Sequence, residues 1–488
     1  MKLELLLNNL ETIQVVGAPE GKEITSITAN SKDAVSGSLF IAISGFKRDG
    51  HSYLQDVINK GAAAVMIEKD DLPDEIFKHA GTVKILVKNS RKAMAQIADA
   101  FYDSPSKKLK LIGITGTKGK TTTSYYLRSI VSSFGYKCGL LGTIANYIGN
   151  EQIKANLTTP DSIELNMLLD RMVEAGCTHC IMEVSSHALE LFRVHALEFD
   201  AAIFMNITSD HMDFHADFDS YLLAKKILFD GLNSNAVAII NSDDIHSKDI
   251  VKNCSAKIKT FGSASNSDYK ISDINYSLKG TKFHLSLSDS QISLSTKLIG
   301  HFNAYNASAA FASAIELGME PLNVAEAIRN TPQVPGRFEV ISKGSKSVIV
   351  DYSHTADSLK QALIAIKTIT NGERPIHTVF GCGGDRDKTK RPVMGKIAEE
   401  LSDTIYITSD NPRTENPVTI IEEILTGVKD KSANVIENRD EAIKTAIQRS
   451  EDNAVILIAG KGHESYQEIN GVRNYFSDKA TAEKYLNE

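Results

Sequence analysis

The chain has 488 residues, 42% of them hydrophobic and 24% charged, the balance of an ordinary globular protein with length for three or four domains. A formal net charge of −7 argues against a nucleic-acid partner, which would need a basic field. No apolar run approaches the roughly 20 residues of a membrane span, and Met1-Lys2-Leu3-Glu4 starts no export signal, so a cytoplasmic location is expected.

Residues 1–105 alternate short apolar runs (Ser38–Ile43, Ala62–Ile67, Val83–Val87) with helical stretches such as Ser90–Phe101. This pattern predicts a small α/β domain over 1–106, closed by the turn residues Asp103-Ser104-Pro105-Ser106.

Leu109–Thr115 is apolar and β-branched and reads as a buried strand. From Thr121 the apolar positions Leu127, Ile130, Val131 and Phe134 fall at helical spacing, with Gly135 as the stop. Between them lies Gly116-Thr117-Lys118-Gly119-Lys120-Thr121-Thr122. The common phosphate-loop spelling wants a glycine five residues before Gly119, where Ile114 stands; here Gly116 lies three before it. Strand, glycines, Gly-Lys-Thr and helix together nevertheless predict a loop whose backbone N–H groups converge on phosphate oxygens at a helix N-terminus. Lys120 would reach the β- and γ-phosphates and the Thr121 hydroxyl would hold Mg2+.

Cys177-Thr178-His179-Cys180 has the spacing of a metal or redox motif, but no second pair accompanies it. It opens an apolar run, and two small core residues at a strand entrance are the simpler reading. Further on, apolar runs keep ending in polar residues. Thr178–Val184 leads into Ser185-Ser186-His187, Ala201–Ile207 into Thr208-Ser209-Asp210-His211, and Ala236–Ile240 into Asn241-Ser242-Asp243-Asp244. Ligands of open parallel sheets gather outside the carboxyl ends of strands, which places the site there. Glu183 and His211, on two such ends, form the natural pair to converge on Thr121 around a metal, although a single strand-end acid is more often a cap or surface partner. Residues 268–299 alternate instead and predict an antiparallel hairpin insert.

Asn330–Arg337, with two prolines and a glycine, marks a second seam. Beyond it, apolar runs precede Asp351-Tyr352-Ser353-His354, Gly381–Arg386, Ser409–Arg413 and Gly460–Glu464, the marks of a doubly wound domain. The expected class is therefore α/β in three domains. These are a small N-terminal unit (1–106), a central phosphate-loop domain with parallel sheet and hairpin insert (107–333), and a Rossmann-like C-terminal domain (334–488).

The combination of Ile114–Thr123, Thr158-Thr159-Pro160, Glu183–His187, Asn206–His215, Gly300–Asn306, Pro335–Val340, Asp351–Thr355, Gly381–Pro392 and Asp410–Arg413 closely resembles the Mur ligases, in the family's order and over nearly the whole chain. The resemblance implies an ATP- and Mg2+-dependent, ADP-forming amide ligase of peptidoglycan synthesis. Within the family it resembles the type that adds meso-diaminopimelate to the D-glutamate of UDP-N-acetylmuramoyl-L-alanyl-D-glutamate through an acyl phosphate. By the same resemblance Lys120 looks like the γ-phosphate contact and Gly116, Thr117, Lys118, Gly119 and Thr122 its loop. Thr121, Glu183, His211 and Lys225 look like the metal set, with Lys225 carbamylated. Nothing in Ala224-Lys225-Lys226 itself would reveal that, and a solvated lysine is the local reading.

Thr158, Thr159, Ser185 and Arg193 resemble contacts to the muramoyl peptide; Ser31, with the Gly45–Gly50 loop, resembles the uridine site. Asn303 and Asn306 match positions around adenine, and Arg337 and Asp351 positions near ATP. Arg386, Gly460 and Glu464 resemble contacts to the amino acid, as do Asp410, Asn411, Pro412 and Arg413. A guanidinium suits the distal carboxylate that distinguishes meso-diaminopimelate from lysine, which makes Arg413, with Asn411 beside it, the expected selector. Lys118 stands where the family often has asparagine, Asn30-Ser31-Lys32 where Asp-Ser-Arg is usual, and Ala356 where proline is frequent. A monomer with no membrane or nucleic-acid partner is expected. The rival readings are the same reaction with L-lysine or another diamino acid, another ATP-dependent amide ligase, and a phosphate-loop ATPase acting as a switch that makes no bond.

Overall fold

The computed structural model describes residues 1–8, 10–46, 48–208, 214–288, 290–429 and 433–488. The backbone divides into two compact units, Met1–Thr260 and Phe261–Glu488.

Met1–Thr260 holds two sheets. The first is five-stranded, with Ser26–Thr28, Ser38–Ile41, Ala64–Ile67 and Val83–Val87 parallel and Thr12–Val16 antiparallel at the edge. Its helices, among them Leu54–Asn59 and Ser90–Phe101, cover both faces, so Leu39, Ile41, Met66 and Ile85 pack on one side and Phe40, Val65 and Ile67 on the other. That is the small α/β unit predicted over the first hundred residues.

The second sheet is built around the strand Lys110–Thr115. On one side lie His179–Glu183 and then Cys138–Leu141; on the other lie Ala201–Phe204 and then Val237–Asn241, all parallel. A strand covered by helices on both faces must be apolar at every position, which is why Leu111, Ile112 and Ile114 show no alternation. The chain moves outward to Cys138–Leu141, returns to fill the place beside the first strand, and then crosses to its other side. This reversal opens a crevice beyond the carboxyl end of Lys110–Thr115, the position at which open α/β sheets bind ligands. Cys177 and Cys180 are buried in this core, Cys180 inside the strand His179–Glu183, as the non-metal reading expects.

In Phe261–Glu488 the expected insert forms three antiparallel strands, Tyr269–Ser277, Gly280–Leu287 and Ser290–Thr296, with the helices His301–Glu316 and Pro321–Asn330 against them. The rest is a six-stranded sheet in the spatial order Glu339–Lys343, Lys346–Asp351, Val455–Ala459, Ile376–Phe380, Thr404–Ile407, Asn434–Val435. Only its first strand is antiparallel. The last long strand is inserted between the first two parallel ones, which brings the segments after Asp351, Phe380, Ile407 and Ala459 to one carboxyl edge.

A fully buried ion pair ties this unit together. Arg439 Nε and Nη2 donate to Asp478 at 2.7 and 2.8 Å, and Nη2 also donates to Ala459 O at 3.0 Å. Replacing Asp478 with alanine leaves the guanidinium as an uncompensated buried charge, a loss of about 3–5 kcal/mol. Urea unfolding of D478A is expected to show that loss, and a change below about 1 kcal/mol would contradict it. Among the described residues no helix is long and apolar enough to cross a membrane.

Candidate active site

Two residue types make the turn after Lys110–Thr115 possible. Gly116 passes so close to the next strand end that a Cβ would come within 2.8 Å of Met205 Cβ, and Gly119, at φ +88°, takes the left-handed conformation that starts the helix Lys120–Ser133. Asn206 templates the loop from the neighbouring strand end. Its carbonyl accepts Thr117 N at 2.9 Å and its side-chain Oδ1 accepts Lys118 N at 2.9 Å. Lys120 folds back over the turn and donates from Nζ to Gly116 O and Thr117 O at 2.6 and 3.1 Å. Thr121 and Thr122 are buried in the first turn of the helix.

Glu183 ends its strand opposite Ile114. Its Oε2 accepts the hydroxyls of Thr121 and Thr143, each at 3.0 Å, and its Oε1 accepts Thr143 N at 3.0 Å. The contacts continue without a break. Thr143 Oγ1 lies 3.1 Å from Thr158 Oγ1, and Thr159 donates to Glu183 O at 2.8 Å and accepts Ser185 N at 3.1 Å. Arg193 Nη1 donates to Thr159 O at 2.8 Å. Thr121, Glu183, Thr158, Thr159, Ser185 and Arg193 are therefore one assembly.

A carboxylate with two hydroxyls is a hard oxygen donor set and fits Mg2+, which usually takes one or two protein carboxylates and completes its shell from phosphate and water. Among the described residues no group of three or more His, Cys, Asp or Glu could hold a metal. His211 lies outside the described residues.

Lys225 is not the solvated lysine that its immediate neighbours suggest. It is 1% exposed, because the helix Phe218–Asp230 buries Tyr221, Ala224, Lys225 and Leu228 along one stripe. Its Nζ sits 4.4 Å from the Tyr221 ring centroid, and the Tyr221 hydroxyl lies 3.0 Å from Thr117 Oγ1 of the loop. Ser31, in the first domain, is half-buried and its carbonyl accepts Lys60 Nζ at 2.7 Å. In the Gly45–Gly50 loop, Phe46 is exposed and stands edge-on to Phe214, which is stacked on His187.

The second unit gathers its own set along the carboxyl edge. Asp351 accepts Phe338 N and Ser353 N at 2.8 and 2.9 Å, fixing the turn that carries Arg337. Arg337 lies over the Tyr352 ring at 4.7 Å, and His463 lies on the same ring at 5.3 Å. Burial, with the Arg337 and Lys461 charges beside it, pushes the His463 imidazole down to about 3, so it is neutral near pH 7. Burial likewise pushes the Tyr352 phenol up to about 12. Asn303 and Asn306 are buried at the start of their helix; Asn303 donates to Ile299 O and accepts Asn306 Nδ2, each at 2.9 Å.

The segment Asp410–Arg413 is pinned on two sides. Arg413 N donates to Glu468 O at 3.0 Å and its carbonyl accepts Asn470 N at 2.7 Å, from the hairpin Tyr466–Tyr475. This pairing holds Arg413 at φ +53°, while its Nη1 donates to Gly384 O at 2.6 Å. Asp385 and Glu415 tie the Gly381–Arg386 loop to the same segment through Thr414 and Asp385 N. Glu415 is held at about 2, below the usual carboxylate range, chiefly by the buried Arg391. The Pro412 carbonyl accepts Glu415 N. Gly460 packs against Asp410, where a Cβ would come within 2.5 Å of Oδ2. Arg386 is exposed.

Three Mur ligase family models match the chain: the catalytic domain over residues 23–102, the middle domain over 114–314 and the glutamate ligase domain over 336–462. A UDP-N-acetylmuramoyl-L-alanyl-D-glutamate--2,6-diaminopimelate ligase of Cytophaga hutchinsonii is 45% identical, spanning 100% of this chain and 99% of that protein. The chain belongs to the Mur ligase family. A ligase of the same description from Clostridium botulinum is 40% identical over the full length of both chains (100% of each). Among solved structures, one of a ligase of that description superposes with a TM-score of 0.72 at 29% identity, over 100% of this chain and 99% of that one. A MurF ligase of Thermotoga maritima in complex with ADP shares the fold, with a TM-score of 0.62 at 18% identity over 95% and 97%.

Thr143 belongs to none of the sequence motifs that point to this Mur ligase's site. Thr143 follows the strand Cys138–Leu141 on the ligand edge, so the strand-end signal that picked out Glu183 would have found it too. Asn206 shapes the loop through its carbonyl and its side-chain amide. Asn411 is buried and its amide is used inside the protein: Nδ2 donates to Glu464 Oε2 at 2.7 Å and Oδ1 accepts Glu468 N at 2.9 Å.

Proposed function

We propose that this Mur ligase joins meso-diaminopimelate to the D-glutamate of UDP-N-acetylmuramoyl-L-alanyl-D-glutamate, splitting ATP to ADP and phosphate, as a cytoplasmic step of peptidoglycan precursor synthesis. The observation that carries the reading is the unbroken run of contacts from Thr121 through Glu183 to Thr159, Ser185 and Arg193. Phosphoryl transfer to a carboxylate needs the phosphate loop and the acceptor's holder within reach of one another, and this run supplies that proximity. The full-length identity to diaminopimelate ligases supports the choice of substrates.

In this scheme a D-glutamate carboxylate oxygen attacks the γ-phosphorus and the bond to ADP breaks. The amino group of the amino acid then adds to the acyl carbon, loses a proton, and phosphate leaves. A carboxylate resists amine attack until one oxygen has become a phosphate leaving group, which is why ATP is consumed. Lys120 and the loop N–H groups hold the γ-phosphate, and Thr158, Thr159, Ser185 and Arg193 orient the peptide. Thr121 and Glu183, with His211 and Lys225 as further proposed ligands, would hold Mg2+, which would supply charge neutralisation at the phosphate oxygens. Asn303, Asn306, Arg337 and Asp351 are assigned to ATP, and Ser31 to the uridine end. Arg386, Gly460, Glu464 and the Asp410–Arg413 segment are assigned to the amino acid. Domains 1–106, 107–333 and 334–488 divide these tasks in a monomer.

The test mixes the UDP-muramoyl dipeptide, ATP and a panel of diamino acids and identifies the product by mass. A diaminopimelate adduct with stoichiometric ADP is expected. ATP hydrolysis that ignores the amino acid would sink the ligase reading.

Carbamylation of Lys225 belongs to the same proposal. It turns a buried cation into an anion and is supported by the burial of this lysine beside the phosphate loop. Native intact mass in bicarbonate buffer is expected to show about +44 Da, the mass of one CO2 added to the amine, lost in K225R. Full activity from protein whose Lys225 is shown to be unmodified would overturn it.

A further inference from the structure

Lys461 is the least expected side chain of the second unit: a lysine with no solvent exposure, in a motif whose neighbours Gly460 and Glu464 were assigned to the amino acid while it was not. Burying an ammonium is costly unless its charge is paired and its protons are accepted. Here Nζ donates to Glu464 Oε2 at 3.0 Å and to Asn411 Oδ1 at 3.1 Å, with the Tyr466 ring 5.4 Å away. Asn411 closes the triangle by donating from Nδ2 to the same Glu464 Oε2, while its Oδ1 also accepts Glu468 N.

The bonding orients both partners. An amide oxygen that receives two donors and an amide nitrogen that faces a carboxylate cannot be exchanged without losing all three contacts. Glu464 is fixed in the same way. Its Oε2 takes two donors, whereas its Oε1 accepts no hydrogen bond from any described residue, and its side chain is 14% exposed. The pair thus presents one free carboxylate oxygen in a defined direction, with the other already neutralised.

We propose that Lys461 is a positioning residue for the incoming amino acid: by holding Glu464 Oε2 and Asn411 Oδ1 it leaves Glu464 Oε1 as the acceptor for the substrate's ammonium group. This rests on the assignment of Glu464 to the amino acid. Without the lysine, Glu464 Oε2 keeps only its Asn411 donor and the carboxylate is free to turn, and Asn411 loses one of the bonds that set its amide.

The experiment is steady-state kinetics of K461M, E464Q and the double variant in the full-length protein, varying meso-diaminopimelate, ATP and the UDP-muramoyl dipeptide in turn. K461M is expected to raise the KM for the diamino acid tenfold or more, leaving the other two KM values within about twofold. Because Lys461 acts on the substrate through the Glu464 carboxylate, K461M/E464Q should be no worse than E464Q alone. An unchanged diamino-acid KM, a parallel rise in all three KM values, or additive losses in the double variant would each overturn the proposal. K461Q, neutral but still able to donate to Asn411, stands in if K461M does not fold. Failure of both to fold would make the lysine a scaffold residue and overturn the proposal as well. Inactive wild-type protein would instead strike at the ligase assignment, so the two failures are distinguishable.

Discussion

Replacing Lys120 with methionine is expected to lower amide-forming turnover about 10^2–10^3-fold, the cost of removing one preorganised positive group from a developing phosphate charge. The side chain stands at the first position of the helix Lys120–Ser133 and donates to two carbonyls of its own turn, Gly116 O and Thr117 O. Those are bonds that a phosphate oxygen can replace. Methionine keeps the aliphatic stem and removes the charge, so the melting temperature should move little while ADP release collapses. Turnover within threefold of wild type, measured with the dipeptide and diamino acid saturating, would remove Lys120 from the chemistry.

The second large effect is expected at Arg413. R413A should cut kcat/KM for meso-diaminopimelate about 10^3-fold, roughly 4 kcal/mol, because the distal carboxylate loses its charge-assisted partner. Discrimination against L-lysine, which has no distal carboxylate to lose, should shrink by a similar factor. The substitution isolates the guanidinium. Arg413 already sits at φ +53° on backbone bonds to Glu468 and Asn470, and alanine at that φ adds no strain that arginine lacks. The measurement is a competition between the two amino acids, with products counted by mass. A preference for meso-diaminopimelate that survives R413A would move the selector elsewhere on the Gly381–Arg386 loop or the hairpin.

Both predictions depend on neighbours that make the residue effective. Lys120 needs Asn206 to shape the turn, and Arg413 needs the hairpin Tyr466–Tyr475 to hold its backbone. Variants at Asn206 or Gln467, whose amide donates to Asp410 O at 2.7 Å, would act through those supports and not through contact with substrate.

How much of this was legible beforehand depended on range. The glycine turn between strand and helix was readable because its signals are local. An apolar strand, two glycines and an amphipathic helix lie within about one βα unit, and each acts on its immediate neighbours. The strand-end rule likewise found Glu183, Ser185, Asp351 and Asp410, since any parallel strand delivers its next residues to the same edge whatever the strand order. The antiparallel character of the insert after residue 268 followed from alternation, which predicts a hairpin where three strands form.

The tertiary structure alone decided what depends on packing between distant segments. Lys225 reads as solvated beside Lys226, and it is buried because the stripe Tyr221, Ala224, Lys225, Leu228 happens to face the core of its unit. Asn411 reads as a ligand-facing partner of Arg413, yet Lys461, Glu464 and Glu468, some fifty residues on, have already taken its amide. Local propensity and period specify which residues turn or pair. Which buried charge meets which carboxylate is set by strand order, and in this sheet the strand that brings Lys461 to Asn411 enters the sheet last.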